Sequence, residues 1–131
     1  MTTISTKTAI EEIKSRALQN LFIISPYHDD KEEIMDERYE AAVQVCGELT
    51  IDGFLVFSPI VHCHPIAKRF KLPRDRRYWA VYDESFAHWA QAGYVLCFSH
   101  WWESSGSQED IRCLWRHGKP VFYSNLMNHV P

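Results

Sequence analysis

The 131-residue chain is short of everything that would mark a secreted, membrane-bound or metal-dependent protein. Its four cysteines, Cys46, Cys63, Cys97 and Cys113, stand 17, 34 and 16 residues apart. No pair has the spacing of a zinc site or a redox dithiol, so buried reduced thiols are expected. No apolar run approaches the roughly 18 residues needed to span a bilayer, and residues 1–20 carry charges where a signal peptide needs an apolar core. A cytoplasmic protein with no membrane contact is expected. Basic residues are outnumbered, 14 against 17, giving a net charge of −3 and arguing against a nucleic-acid polymer as partner. Only five glycines are present, and neither Gly-x-Gly nor Gly-Lys-Ser/Thr occurs, which excludes the standard dinucleotide and Walker-type phosphate loops.

What remains is 46% hydrophobic and rich in aromatics, with five Trp, six Tyr and seven Phe, as suits one globular domain over residues 1–131. Thr8-Ala-Ile-Glu11 reads as a capping box opening a short helix to about residue 19. Strands are expected at 20–24, 54–57, 94–98 and 121–123, and helices at 31–50, 75–92 and 106–116. Asp29 or Asp30 is the expected cap of the first long helix. The strand-like runs lack alternation, as in parallel strands buried on both faces. Three prolines mark 59–74 as an irregular excursion, and Trp79, Tyr82, Phe86 and Trp89 form an aromatic stripe, of which Trp79, Tyr82 and Phe86 are expected to face the sheet. Strict alternation of helix and strand predicts a three-layer α/β sandwich, flavodoxin- or Rossmann-like, with a mostly parallel sheet of four to five strands.

Ligands in such sheets sit beyond the carboxyl ends of the strands. Three loops qualify, at 25–30, 58–74 and 99–107. In the first, Ser25, Pro26 and Tyr27 can hydrogen-bond a sugar or base edge, or simply form a turn before a helix. In the second, His62 and His64 would share a face of an extended segment, as metal ligands can, but no third ligand stands at a known spacing; loop packing or substrate contact is the alternative. In the third, Ser104, Gly106 and Ser107 open a helix whose N-terminus can bind an anion, followed by Glu109 and Asp110. The competing reading there is a serine cap with acidic residues favouring the helix dipole. Asp83 is an acid inside an aromatic helix face, structural or aimed at the ligand.

These pieces in this order resemble the small bacterial and phage proteins of the nucleoside 2-deoxyribosyltransferase-like superfamily. The resemblance runs from Phe22-Ile-Ile-Ser-Pro-Tyr27 through Arg38-Tyr39, Gly53-Phe-Leu-Val-Phe-Ser-Pro-Ile60, His64-Pro65-Ile66-Ala67 and Trp79 with Asp83. It continues over Trp101, Ser104, Gly106 and Asp110-Ile111 to Gly118-Lys-Pro-Val121, and leaves out the N-terminal helix. It implies a flavodoxin-like sheet that binds a nucleoside or nucleoside 5′-monophosphate and cleaves or exchanges its N-glycosidic bond, without cofactor or metal. By position it places a carboxylate nucleophile at Asp110, an assisting acid at Asp83, sugar or base contacts at Ser25 and Tyr27, and phosphate contacts at Ser104 and Gly106. It also implies a homo-oligomer, in line with the aromatic allotment of Trp101, Trp102 and Trp115. Two departures stand out. The nucleophile position of the family holds Glu, whereas Asp110 is shorter by a methylene, roughly 1.5 Å of reach; Glu109 has the reach but lies about 100° round the helix. The acid that many relatives carry before the third strand is replaced by Ala92-Gly93. A non-catalytic nucleotide-binding or sensing module is the alternative reading.

Overall fold

The computed structural model describes residues 8–124. Its elements follow in the order α1 (Ala9–Ser15), β1 (Asn20–Ile24), α2 (Glu32–Ile51), β2 (Leu55–Phe57), α3 (Pro59–Phe70), α4 (Arg76–Trp89), β3 (Ala92–Val95), a 3-10 turn (Trp101–Glu103), α5 (Ser105–Arg116) and β4 (Val121–Tyr123). The four strands form one sheet in the order β2-β1-β3-β4, every pair parallel. No helix among the described residues is long and apolar enough to cross a membrane.

Leu21 to Ile24 of β1 are fully buried, because alternate residues face two different helical layers. Leu21 and Ile23 pack with Ile13 of α1 and with Cys46 and Leu49 of α2. Phe22 and Ile24 pack with Ala87 of α4 and with Ile111, Cys113 and Leu114 of α5. The expected three-layer sandwich is therefore formed, with α1 and α2 on one face and α4 and α5 on the other. Thr8 makes the expected capping box with Glu11, although α1 ends at Ser15 rather than near 19. At the start of α2 the cap position is Lys31, whose N–H is accepted by Asp29 Oδ1.

Two expectations are corrected. Residues 59–70 are not irregular but the helix α3. Pro59 sits in its first turn, where a missing N–H costs nothing, and the Ser58 hydroxyl caps it by accepting from the Val61 N–H. Ile60, His64 and Ala67 then recur at helical spacing and are buried, which outweighs the interior Pro65. The aromatic stripe of α4 is also rotated from its expected position. The buried residues are Trp79, Asp83 and Ala87, four apart, while Tyr82 is 42% and Trp89 36% exposed. The acid faces inward beside Trp79, and Phe86 stacks on Phe57 of the core, while the other two aromatics turn outward.

Gly93 in the middle of β3 allows α5 to lie close. A Cβ built there would stand 3.2 Å from Leu114 Cγ.

Candidate functional site

Sheet order reverses at β1: the chain leaves it for β2 on one side and returns to β3 on the other. The crevice at the carboxyl ends of β1 and β3 is the place where such folds bind ligands. A cavity of about 580 Å³ opens there, within the range of small-molecule sites. Ser25, Pro26, Tyr27, His64, Ser104, Gly106, Asp83 and Asp110, all singled out in the sequence, line it. Glu109 and Ser107 do not. Glu109 reaches the cluster only from the solvent side, its Oε2 3.3 Å from Arg76 Nη1. Ser107 is buried behind the helix start, its N–H donating to Ser104 Oγ at 3.1 Å.

The chemical centre is Arg76, which sequence reasoning missed. Its Nε donates to Asp110 Oδ1 at 2.9 Å and lies 3.6 Å from Asp83 Oδ2. Arg76 and Asp83 are seven residues apart on α4, two turns on one face, and this spacing was the available signal. Asp83 is 2% exposed. Burial first, then repulsion from Asp110, pushes its carboxyl up to about 7 against the opposing pull of Arg76. Burial raises Asp110 to about 6, again against Arg76. One guanidinium thus serves two buried carboxylates, and the pair shares protons near neutral pH. Asp83 Oδ1, Arg76 Nη2 and Ser25 Oγ are buried with no hydrogen-bond partner among the described residues. Unmatched polar atoms on three residues of one cavity are what a polar ligand would satisfy.

The opposite wall is a hydrogen-bonded row. Asp36 is held below the ordinary carboxylate range by the Lys68 ammonium, 2.9 Å away, so it only accepts. His64 Nε2, at 2.9 Å from Asp36 Oδ1, must then carry the proton. Burial lowers the His64 pKa, so the ring is neutral and its Nδ1 accepts from the Tyr27 hydroxyl at 2.5 Å. Tyr39 stacks on the imidazole with centroids 4.5 Å apart. Arg38 donates to the carbonyls of Tyr27 and His28, pinning the loop after β1. Asp36 and Arg38 sit on α2 among charged residues with no distinguishing pattern, which is why the sequence did not single out Asp36.

His62 and His64 do not act together. On α3 two positions are about 200° apart, so His64 turns into the cavity while His62 packs beside Tyr82, ring centroids 5.1 Å apart. At the start of α5, Ser104 is the cap, as the second reading of that loop had it. Its hydroxyl engages the Ser107 N–H, and the Ser105 and Gly106 N–H groups are left without an intrahelical acceptor at the cavity wall. Cys63 also lines the cavity, but burial and the two nearby aspartates push its thiol up to about 12, so it remains protonated.

Residues 19–126 match the family described as a domain of unknown function, DUF1937. The chain belongs to that family. No curated protein matches it. Among solved structures, this DUF1937 chain is similar to a 2-deoxyribosyltransferase from the psychrotolerant bacterium Bacillus psychrosaccharolyticus, with a TM-score of 0.54 and 17% identity over 84% of this chain and 77% of that one. At that identity the likeness concerns the fold. The DUF1937 match begins just before β1, so α1 lies outside it, although Ile13 of α1 is fully buried in the core.

Proposed function

We propose that the protein cleaves or exchanges the N-glycosidic bond of a nucleoside or nucleoside 5′-monophosphate. The observation that carries this reading is the buried Asp83–Arg76–Asp110 cluster at the strand ends. Pairs of acids held near neutral pH beside a cavity are suited to glycosyl chemistry, in which one attacks and the other supplies a proton. The nucleoside-processing neighbour of similar fold supports the substrate class.

In this mechanism Asp110 is the nucleophile. Arg76 occupies its Oδ1 and keeps the group ionised, leaving Oδ2 to form the bond to the anomeric carbon. As the C–N bond breaks, its electron pair goes to the base nitrogen, which takes a proton from Asp83. The positive charge that builds on the sugar ring in the transition state is stabilised by the attacking carboxylate. Water or a second base then displaces Asp110 from the sugar. Tyr27 and Ser25 hold the sugar or base edge, and the free N–H groups at Ser105 and Gly106 receive the 5′-phosphate. None of these steps calls for a cofactor or a metal.

A second reading, binding of a nucleotide without turnover, is favoured by one observation: the nucleophile is an aspartate already paired with Arg76. Incubation with a panel of deoxynucleosides and their 5′-monophosphates, with chromatography for free base, separates the two. Base release supports the enzyme; saturable binding without release supports the module.

A further inference from the structure

On the outer seam between α4 and α5, away from the cavity, three different metal-binding chemistries converge. Glu84, Cys113 and His117 place a carboxylate oxygen, the thiol sulfur and an imidazole nitrogen all within 4.8 Å of one another. His117 Nε2 is 2.9 Å from Glu84 Oε2, and the Cys113 thiol is hydrogen-bonded to the same carboxylate. Cys113 is fully buried, whereas Glu84 is about half exposed, so the sulfur forms a floor beneath an open rim.

The sequence spacing is as informative as the distances. Cys113 and His117 are four apart on α5, and Glu84 and His88 are four apart on α4. Each pair shares one face of its helix, and the two faces oppose each other. The rings of His88 and His117 have centroids 6.0 Å apart. Two imidazoles sharing a tetrahedral zinc, with Zn–N of about 2.0 Å, need a separation of roughly 5 Å, a small adjustment for an exposed side chain.

We propose that Glu84, Cys113 and His117, completed by His88, form a binding site for a zinc-class divalent cation that clamps α4 to α5. The mixed sulfur, nitrogen and oxygen donor set suits tetrahedral zinc, and is a poor match for magnesium or calcium, which take oxygen ligands. Arg116 Nη2 lies 3.2 Å from Glu84 Oε1, which leaves Oε2 to the metal and makes the carboxylate a one-oxygen ligand held from outside. The cation replaces the proton of the Cys113 thiol, which passes to the buffer; the Nε2 proton that His117 gives to Glu84 moves to Nδ1 as the ring changes tautomer, and that hydrogen bond gives way to two metal bonds. The clamp would join the helix carrying Arg76 and Asp83 to the one carrying Asp110.

The full chain, stripped of metal by chelator, is titrated with Co²⁺ as a spectroscopic probe. The expected result is a one-to-one endpoint with a thiolate-to-cobalt charge-transfer band and tetrahedral d–d bands, both abolished by added Zn²⁺. Zn²⁺ should also raise the thermal midpoint of the wild type. Because Cys113 is buried and its replacement can unfold the protein, the decisive variants are Glu84→Gln and His117→Ala at the rim. Both should lose the bands and the thermal shift, while Cys63→Ala keeps them. His88→Ala should weaken cobalt binding; unchanged binding there overturns its place in the ligand set. Absence of a thiolate band at millimolar Co²⁺, its persistence in His117→Ala, or its loss in Cys63→Ala overturns the site. None of these readouts depends on base release, so the outcome stands apart from that of the glycosidic reading.

Discussion

Arg76 Nε donates to Asp110 Oδ1 at 2.9 Å while lying 3.6 Å from Asp83 Oδ2, so a single cation balances two buried acids. Removing it leaves two like charges in a site that disfavours even one. Arg76→Met is therefore expected to raise both carboxyl pKa values further and to lose base release at pH 7, with destabilisation on the order of 3 kcal/mol for an uncompensated buried charge. Arg76→Lys, which keeps the charge but not the fork, should recover part of the stability. Urea unfolding and base-release assays on both variants check this.

Asp110→Asn should abolish base release, by at least about 10³-fold, with ligand affinity nearly unchanged, because the amide keeps the shape but cannot attack. Glu109→Gln, outside the cavity, should change turnover little. Asp110→Glu should raise turnover if the short reach of Asp110 limits the parent, since about 1 Å of misplacement can cost roughly 10²-fold. Chromatographic assay of the three variants decides it. A nucleophile at Glu109 would reverse the first two results.

Folding stability should depend on pH through Asp83 and Asp110. Both folded pKa values lie above those of the unfolded chain, at about 7 and about 6. The folded state then binds more protons than the unfolded state, so this contribution is fully present below about pH 4. It is lost as pH rises to 7. Asp83→Asn removes the Asp83 part of this titration and leaves that of Asp110. Its stability relative to wild type should grow from pH 4 to pH 8 by on the order of 1–4 kcal/mol, read from urea midpoints. A constant difference across that range would contradict the raised pKa of Asp83.

Nucleoside 5′-monophosphates should bind more tightly than their nucleosides, by about tenfold or more, through the N–H groups at the start of α5. Calorimetric titration of matched pairs measures the ratio, and equal affinities would remove the phosphate from the proposed ligand.

A homo-oligomer is expected from exposed aromatics flanking α5, where Trp102 before its start is 51% and Trp115 in its last turn 59% exposed. Light scattering at about 100 μM should give a mass above that of one chain, and Trp115→Glu should lower it.

Much of this architecture was legible in the sequence because it is written in short-range patterns. The unalternating run at 21–24 announced a strand buried on both faces, and Thr8 with Glu11 announced a helix start. The α3 helix was hidden because prolines were read as breakers, although Pro59 stands where a helix tolerates one. The cavity-lining loops followed from the strand-end rule, and Ser25, Tyr27 and His64 fell within them, while Asp83 stood out as an acid on an aromatic helix face. Asp36 escaped because its partner His64 is 28 residues away, a relation that no local spacing encodes; Arg76 carried a local signal in its seven-residue spacing from Asp83, but its closest acid, Asp110, is 34 residues away.

The helix that carries Asp110 lies against a residue with no side chain. Gly93 lets Leu114, one helical turn beyond Asp110, settle against β3, and an alanine there would need α5 or Leu114 to give way by a few tenths of an ångström. That is a sizeable part of the tolerance for placing a reacting carboxylate. A single methyl group in the sheet, touching no ligand, would thus act on the proposed reaction as a ruler with the wrong zero, wherever α5 rather than the Leu114 side chain gives way.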